Sequence, residues 1–337
     1  MPMKKTLLPV LFAFTIAAGH ADGSYQLLKE IPIGTDGGWD CLSVDSVAQR
    51  LYVSHATKVV VIDLAKDVVV GEITNTPGVH GLAPAPDLGR GVVTCGRENK
   101  AAIVDLKTLA IIAKVDTGAN PDCMLYEPGR QEFYVFNGRG QSATVIDAKT
   151  AKVVATIPLG GKPEFAQADA QAGLVFNNIE NTSELVVIDA KKHEVVSRWP
   201  IAPGEEASGL AFDEKNHRLF LGCGNHLMAM LDSTSGKVLA TVPIGDGVDG
   251  CAFDPGTQLA FASCGDGTTT IAHEDGDKLT VVQLLKTEKS ARTMAIDPAT
   301  HKIYLAAAKF EAPVEGQRRG KMVPGTFKIL VYGPTAK

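Results

Sequence analysis

Short apolar runs that close on an aspartate recur along the chain. Runs ending at Asp63, Asp105, Asp147, Asp189 and Asp232 follow one another at intervals of 42, 42, 42 and 43 residues. Each is biased toward β-branched residues. Most are followed by a short polar turn and a second apolar run, at 68–73, 110–115, 153–157, 195–199 and 238–242. Runs this short, separated by turns, predict strands, since a helix needs about ten or more residues at its 3.6 period. Upstream lies another pair of runs, as at 42–45 with 51–54, 123–126 with 133–136, 250–254 with 259–263 and 293–297 with 302–306. These read as hairpins around turns such as Asp254-Pro255-Gly256. Four antiparallel strands per repeat of about 42 residues is the pattern of a propeller blade.

Seven such units fit, so the fold class is all-β, a seven-bladed β-propeller. Blades are expected to start near residues 39, 79, 121, 163, 207, 248 and 291. The last runs out of chain after the run 328–332 and lacks an outer strand, while 27–33 is a lone strand without a hairpin partner. Pairing the two closes the ring and removes two exposed strand edges. Ahead of it, Lys4 and Lys5, an apolar run over 7–18 and Gly19-His20-Ala21 read as a secretory signal peptide, residues 1–21. The apolar run is too short to anchor the protein in a bilayer. One propeller domain over 22–337 remains, expected in the periplasm or secreted, and monomeric.

Two phrases carry a family resemblance. Pro163-Glu164 with 174–177, and above all Pro121-Asp122 with Phe133-Tyr134-Val135-Phe136-Asn137 and Val145-Ile146-Asp147, resemble the YVTN repeat of the YncE-like family of exported seven-bladed propellers. The resemblance runs from Tyr25 to Gly333. It implies the fold; the family's relatives range from binding proteins to propellers in quinone- or haem-linked enzymes. His273-Glu274 in the sixth repeat and Tyr332-Gly333 in the seventh depart from the closing Asp.

Charge narrows the partners. The chain carries −5, or −7 once Lys4 and Lys5 are removed, so nothing offers the basic surface that nucleic acid requires. Six cysteines without C-x-x-C or C-x-x-C-H spacing disfavour a zinc ribbon or covalent haem. Equivalent cysteines on different blades are expected to lie too far apart to bridge. Cys251 with Cys264, on adjacent strands of one blade, is the disulfide candidate. No G-x-S-x-G, Walker loop or H-E-x-x-H occurs, and Gly138-Arg139-Gly140 sits between strands, where it reads as a loop. The aspartates that close the third strands recur in blade after blade and are read as turn caps, not catalysts.

Aligning the repeats locates a candidate site. The residues at the start of the inner strands are Asp40, His80, Asp122, Glu164, Ser208, Asp249 and Arg292, six of seven ionisable. About fifteen residues on, a second set includes His55, Asn137 and Asn178. Both sets are expected at the upper mouth of the channel, where carboxylates, imidazoles and amides would bind a divalent cation, an amine or a polar ligand. Turn preference alone also places Asp, Asn and Ser near loops. Arg292 opposes a bare cation site; it would pair with Asp40 or Asp249, or clamp an anionic group. A surplus of about 16 residues at 309–326, with Arg318, Arg319 and Lys321, adds a basic loop on the same face. The leading reading is a non-catalytic module that binds a small polar ligand or an envelope protein. The alternatives are a lactonase-like hydrolase, with Asp40, Asp122, Glu164 and Asp249 holding a metal and His80 or His55 moving a proton, or a redox partner of a quinoprotein.

Overall fold

The computed structural model describes residues 24–314 and 320–335. The expected signal peptide, with Arg318 and Arg319, lies outside the described residues. Seven four-stranded antiparallel sheets form the ring. The inner strands are Leu42–Asp45, Val79–Ala85, Pro121–Glu127, Pro163–Asp169, Ala207–Asp213, Val248–Asp254 and Met294–Asp297, which define blades 1 to 7.

Burial explains the repeated sequence pattern. Third strands such as Lys58–Asp63 and Glu184–Asp189 are covered on both faces by neighbouring blades, so their middle four residues are all buried and all apolar. Outer strands have one solvated face and alternate, as Glu194–Pro200 does. Each closing Asp accepts two N–H bonds from the following turn; at Asp147 they come from Lys149 at 3.1 Å and Thr150 at 2.6 Å. The Thr150 hydroxyl, which donates to the same carboxylate at 2.8 Å, and those N–H bonds hold it below the usual range. The sixth blade, which lacks this Asp, continues its third strand to Asp275 and turns through Gly276 and Asp277 into Lys278–Lys286.

The ring closes as the lone strand predicts. Tyr25–Pro32 pairs antiparallel with Lys328–Pro334, placing Ile31 opposite Ile329. Tyr25 adds a second anchor: its ring meets Phe261 at 5.1 Å and its O–H donates to the His301 carbonyl at 2.8 Å. In blades 2 to 6 the inner strand carries a β-bulge in its first few residues, between Pro121 and Met124 in blade 3, for example. A bulge bends the strand and re-aims its side chains, here at the residues that face the channel.

The register of the sixth blade's first hairpin corrects the disulfide expectation. Cys251 lies opposite Ala262 and Cys264 opposite Val248, so the two are offset along the hairpin, and all six cysteines are free thiols.

Candidate functional site at the channel mouth

The starts of the inner strands are stitched to one another by the backbone. Cys41 N–H donates to the His80 carbonyl at 2.8 Å, and Gly250 N–H to the Arg292 carbonyl at 2.9 Å. Consecutive members of the polar ring therefore meet. His80 Nδ1 lies 2.7 Å from Asp40 Oδ2 and 3.1 Å from Asp122 Oδ1. Ser208 donates its hydroxyl to Asp249 Oδ1 at 3.0 Å, and Arg292 Nη1 stands 3.2 Å from Asp249 Oδ2. Glu164 is paired with Lys162 at 2.7 Å, and Lys162 also binds Glu180.

The charges follow from these contacts. Burial works against a charged His80, but hydrogen bonds and charge from Asp122 and Asp40 outweigh it and raise its pKa to about 10. It is an imidazolium at neutral pH. Burial pushes Glu164 up to about 7, against the pull of Lys162 and with the charge of Asp122 adding to the rise. Burial also raises Asp249, with Arg292 opposing and Asp40 and Asp122 reinforcing. Contact with the Cys123 thiol pulls the Cys41 thiol down, but burial and the charges of Asp40, Asp122 and Asp249 push it up to about 12; contact with Cys41, burial and the charges of Asp122 and Glu164 hold Cys123 well above the usual thiol range.

Of the residues predicted for the mouth, Asp40, His80, Asp122, Glu164, Asp249 and Arg292 are brought together. His55, Asn137 and Asn178 are not: all three are fully buried within the blades. His55 and Asn137 end second strands and Asn178 is next to last in its own, one strand spacing of about 4.8 Å farther from the axis, where the inner strands and loops cover them. His55 stacks on Phe327 with ring centroids 4.2 Å apart. Asn137 donates to Ser142 and Thr144 in its own blade. Asn178 donates to the carbonyls of Ser208 and Gly209 at 3.0 and 3.1 Å, clamping blade 4 to blade 5 just behind the ring.

The long loop returns over the same face. Phe310 and Met322 bridge as a short antiparallel pair, and Phe310 packs on Trp39 at 6.0 Å. Between them and Arg292 lies a cavity of about 370 Å³ lined also by Asp36 and Trp39. Lys321 is exposed on this arm.

Sequence reasoning missed Arg97 and Arg139. They occupy equivalent second-to-third strand loops, each just after a glycine and one repeat apart, and that 42-residue spacing was the available signal. With Trp39, Asp40, His80 and Asn120 they line a cavity of about 530 Å³ over the mouth. Among the described residues neither makes an ion pair or side-chain hydrogen bond. Below the ring the channel turns apolar: a cavity of about 870 Å³ is walled by Leu82, Leu125 and Phe165 with the sulfur side chains of Cys41, Cys123, Met124, Cys251 and Met294.

No family model and no curated protein matches the chain. Among solved structures it is similar to a chain of the mitotic checkpoint complex, at 14% identity and a TM-score of 0.75, covering 89% of this chain and 96% of that one. It is likewise similar to the β-propeller domain of Cps50 (Swd1) from Myceliophteria thermophila, at 14% identity and a TM-score of 0.72, covering 93% and 100%. At such identity the likeness shows the fold alone: this chain is a seven-bladed β-propeller.

Proposed function

We propose that the protein is an exported, non-catalytic binding propeller of the YncE-like, YVTN-repeat kind, and that its ligand is a small polar molecule presenting an anionic group to the mouth. Export rests on the basic start and apolar run of residues 1–21, and the repeat kinship on the phrases around Asp122 and Glu164. The observation that carries the ligand is the pair Arg97 and Arg139, which face one cavity with the His80 imidazolium and have no internal partner among the described residues. Arginine forks bind carboxylate or phosphate bidentately, and the low-dielectric wall beneath strengthens such contacts. Trp39 lines the same cavity and serves as the reporter. Titration with inorganic phosphate and citrate is expected to change its fluorescence, and R97A/R139A to abolish that response while leaving the melting temperature unchanged. Binding that survives the double substitution, or a response to choline but not to either anion, refutes the reading.

The hydrolase alternative has one specific observation in its favour. Single ligand atoms of Asp40, His80 and Asp122 all lie within 4.8 Å of one another. A divalent ion bound through His80 must displace the proton it shares with the carboxylates, so uptake should strengthen steeply with pH. Calorimetric titration with Mn²⁺ at pH 7 and 9, with a lactone hydrolysis assay alongside, tests it; no heat and no turnover at either pH removes it.

A further inference from the structure

Beneath the polar ring, one repeat position places sulfur where three blades converge. Cys41 and Cys123 directly follow Asp40 and Asp122, and the equivalent residue of the blade between them is Gly81, which follows His80. Having no side chain, Gly81 leaves a gap that its neighbours fill. A Cβ on Gly81 would stand 2.9 Å from Cys41 Cβ, 2.9 Å from Met124 Cε and 3.0 Å from Met124 Sδ. The Cys41 and Cys123 side chains pack in one buried cluster with Met124 against it, and the Cys41 thiol donates toward Asp40 Oδ1 at 3.9 Å. Cys41 is fixed from behind by its N–H bond to the His80 carbonyl, and Cys123 by its place in the bulged inner strand of blade 3. All three sulfur residues border the 870 Å³ channel cavity, so the cluster is reachable from it.

We propose that Cys41, Cys123 and Met124 form a binding site for a soft monovalent d¹⁰ cation of the Cu(I) or Ag(I) class, set in the channel wall below the polar mouth. Thiolate and thioether donors select such ions over Mg²⁺, Ca²⁺ or Mn²⁺, which prefer oxygen. The cavity wall around the sulfurs is mainly apolar, with Leu42, Leu82 and Leu125, and the oxygen donor at Cys41 is Asp40 Oδ1 at 3.9 Å. Binding releases one proton from each thiol as each sulfur gives a lone pair to the ion, and no electron is transferred. The bound unit, two thiolates and one monovalent cation, carries one negative charge where the two free thiols carry none. This site is independent of the anion reading for the mouth: it uses different residues, a different ligand class and the opposite side of the ring.

The test uses the full mature chain, reduced and handled without air. Titration with Ag(I), and with Cu(I) in competition against bathocuproine disulfonate, is expected to show one equivalent retained by native mass spectrometry. X-ray absorption at the copper edge should show a sulfur-only shell. C41S/C123S should weaken retention by about a hundredfold or more, M124L by less, and C264S, which alters a thiol off this cluster, not at all. Circular dichroism and melting curves confirm that each variant is folded. If C41S/C123S does not fold, G81V, which fills the gap over the sulfurs, takes its place and should lose the ion. No retention against the competitor, retention unchanged in these variants, or nitrogen and oxygen in the shell overturns the proposal. So does a Cys41–Cys123 disulfide in protein isolated with thiols blocked at lysis.

Discussion

Substituting His80 by Gln removes the one cation that separates Asp40 from Asp122. His80 sits 2.7 and 3.1 Å from the two carboxylates, and its pKa rises from 6.5 to about 10. A rise of that size corresponds to about 5 kcal/mol as an upper limit. Its sign sets the pH window. The folded protein holds the proton more tightly than the unfolded chain, so the stabilisation is complete below about pH 6.5 and is lost as pH climbs through about 10. Between pH 7.0 and 8.5 the loss is about 1.4 kcal/mol per pH unit, or about 2 kcal/mol in all. The window stops there because unfolded thiols begin to ionise near pH 8.5 while the buried ones do not, which adds a second slope. Urea unfolding of the wild type and of H80Q at both pH values isolates the term as a difference of differences, and imidazole ¹⁵N shifts read the titration directly. Equal losses in the two proteins, or a His80 titration centred near 6.5, would show that the triad does not hold a proton and would sink the account of the mouth's charge.

Other expectations follow from single contacts. Deleting residues 25–32 removes the strand that pairs with Lys328–Pro334 and should replace one cooperative calorimetric transition with a broad or split one; a wild-type melt refutes closure as a source of cooperativity. Gly81→Ala forces a Cβ to 2.9 Å from both Cys41 and Met124 and should cost about 1–3 kcal/mol in urea unfolding. Asn178→Ala leaves the Ser208 and Gly209 carbonyls without its two bonds and should cost about 1–3 kcal/mol, with faster hydrogen exchange at the blade 4 and 5 junction as the local readout.

The architecture was legible because the physics that shapes it repeats. A strand buried on both faces must be apolar throughout, a strand at the rim alternates, and an Asp that caps a turn is needed each time the turn recurs. Seven copies of that logic left a period of about 42 residues in the chain. The inner-strand positions were legible for the same reason. Radial depth was not. His55, Asn137 and Asn178 look equivalent to mouth residues along the chain, yet one strand spacing puts them inside the blades. Register was hidden too: Cys251 faces Ala262 while Cys264 faces Val248, and nothing in the hydrophobic pattern marks that offset. Nor does the pattern show that Cys41 and Met124 would meet over Gly81 and share a buried cluster with Cys123, since positions on alternate blades are ordinarily far apart. That approach depends on the size of a third residue on the blade between them.

The character of the mouth turns on pairing more than on composition. Counted along the chain, the ring holds Asp40, Asp122, Glu164 and Asp249 against His80 and Arg292, an excess of acid that points to a cation. In space His80 answers Asp40 and Asp122, Arg292 answers Asp249, and Lys162, just outside the aligned position, answers Glu164. Burial raises Glu164 and Asp249 and so trims their negative charge further. Of the described residues that line the cavity over His80, Arg97 and Arg139 are the cations left without an ion pair or side-chain hydrogen bond. The unpaired charge facing an incoming ligand in this cavity therefore comes from two residues outside the ring, over blades 2 and 3. Neutralising those two arginines should change what binds far more than removing any one ring carboxylate, whose loss would instead be felt by the histidine or arginine it holds in place.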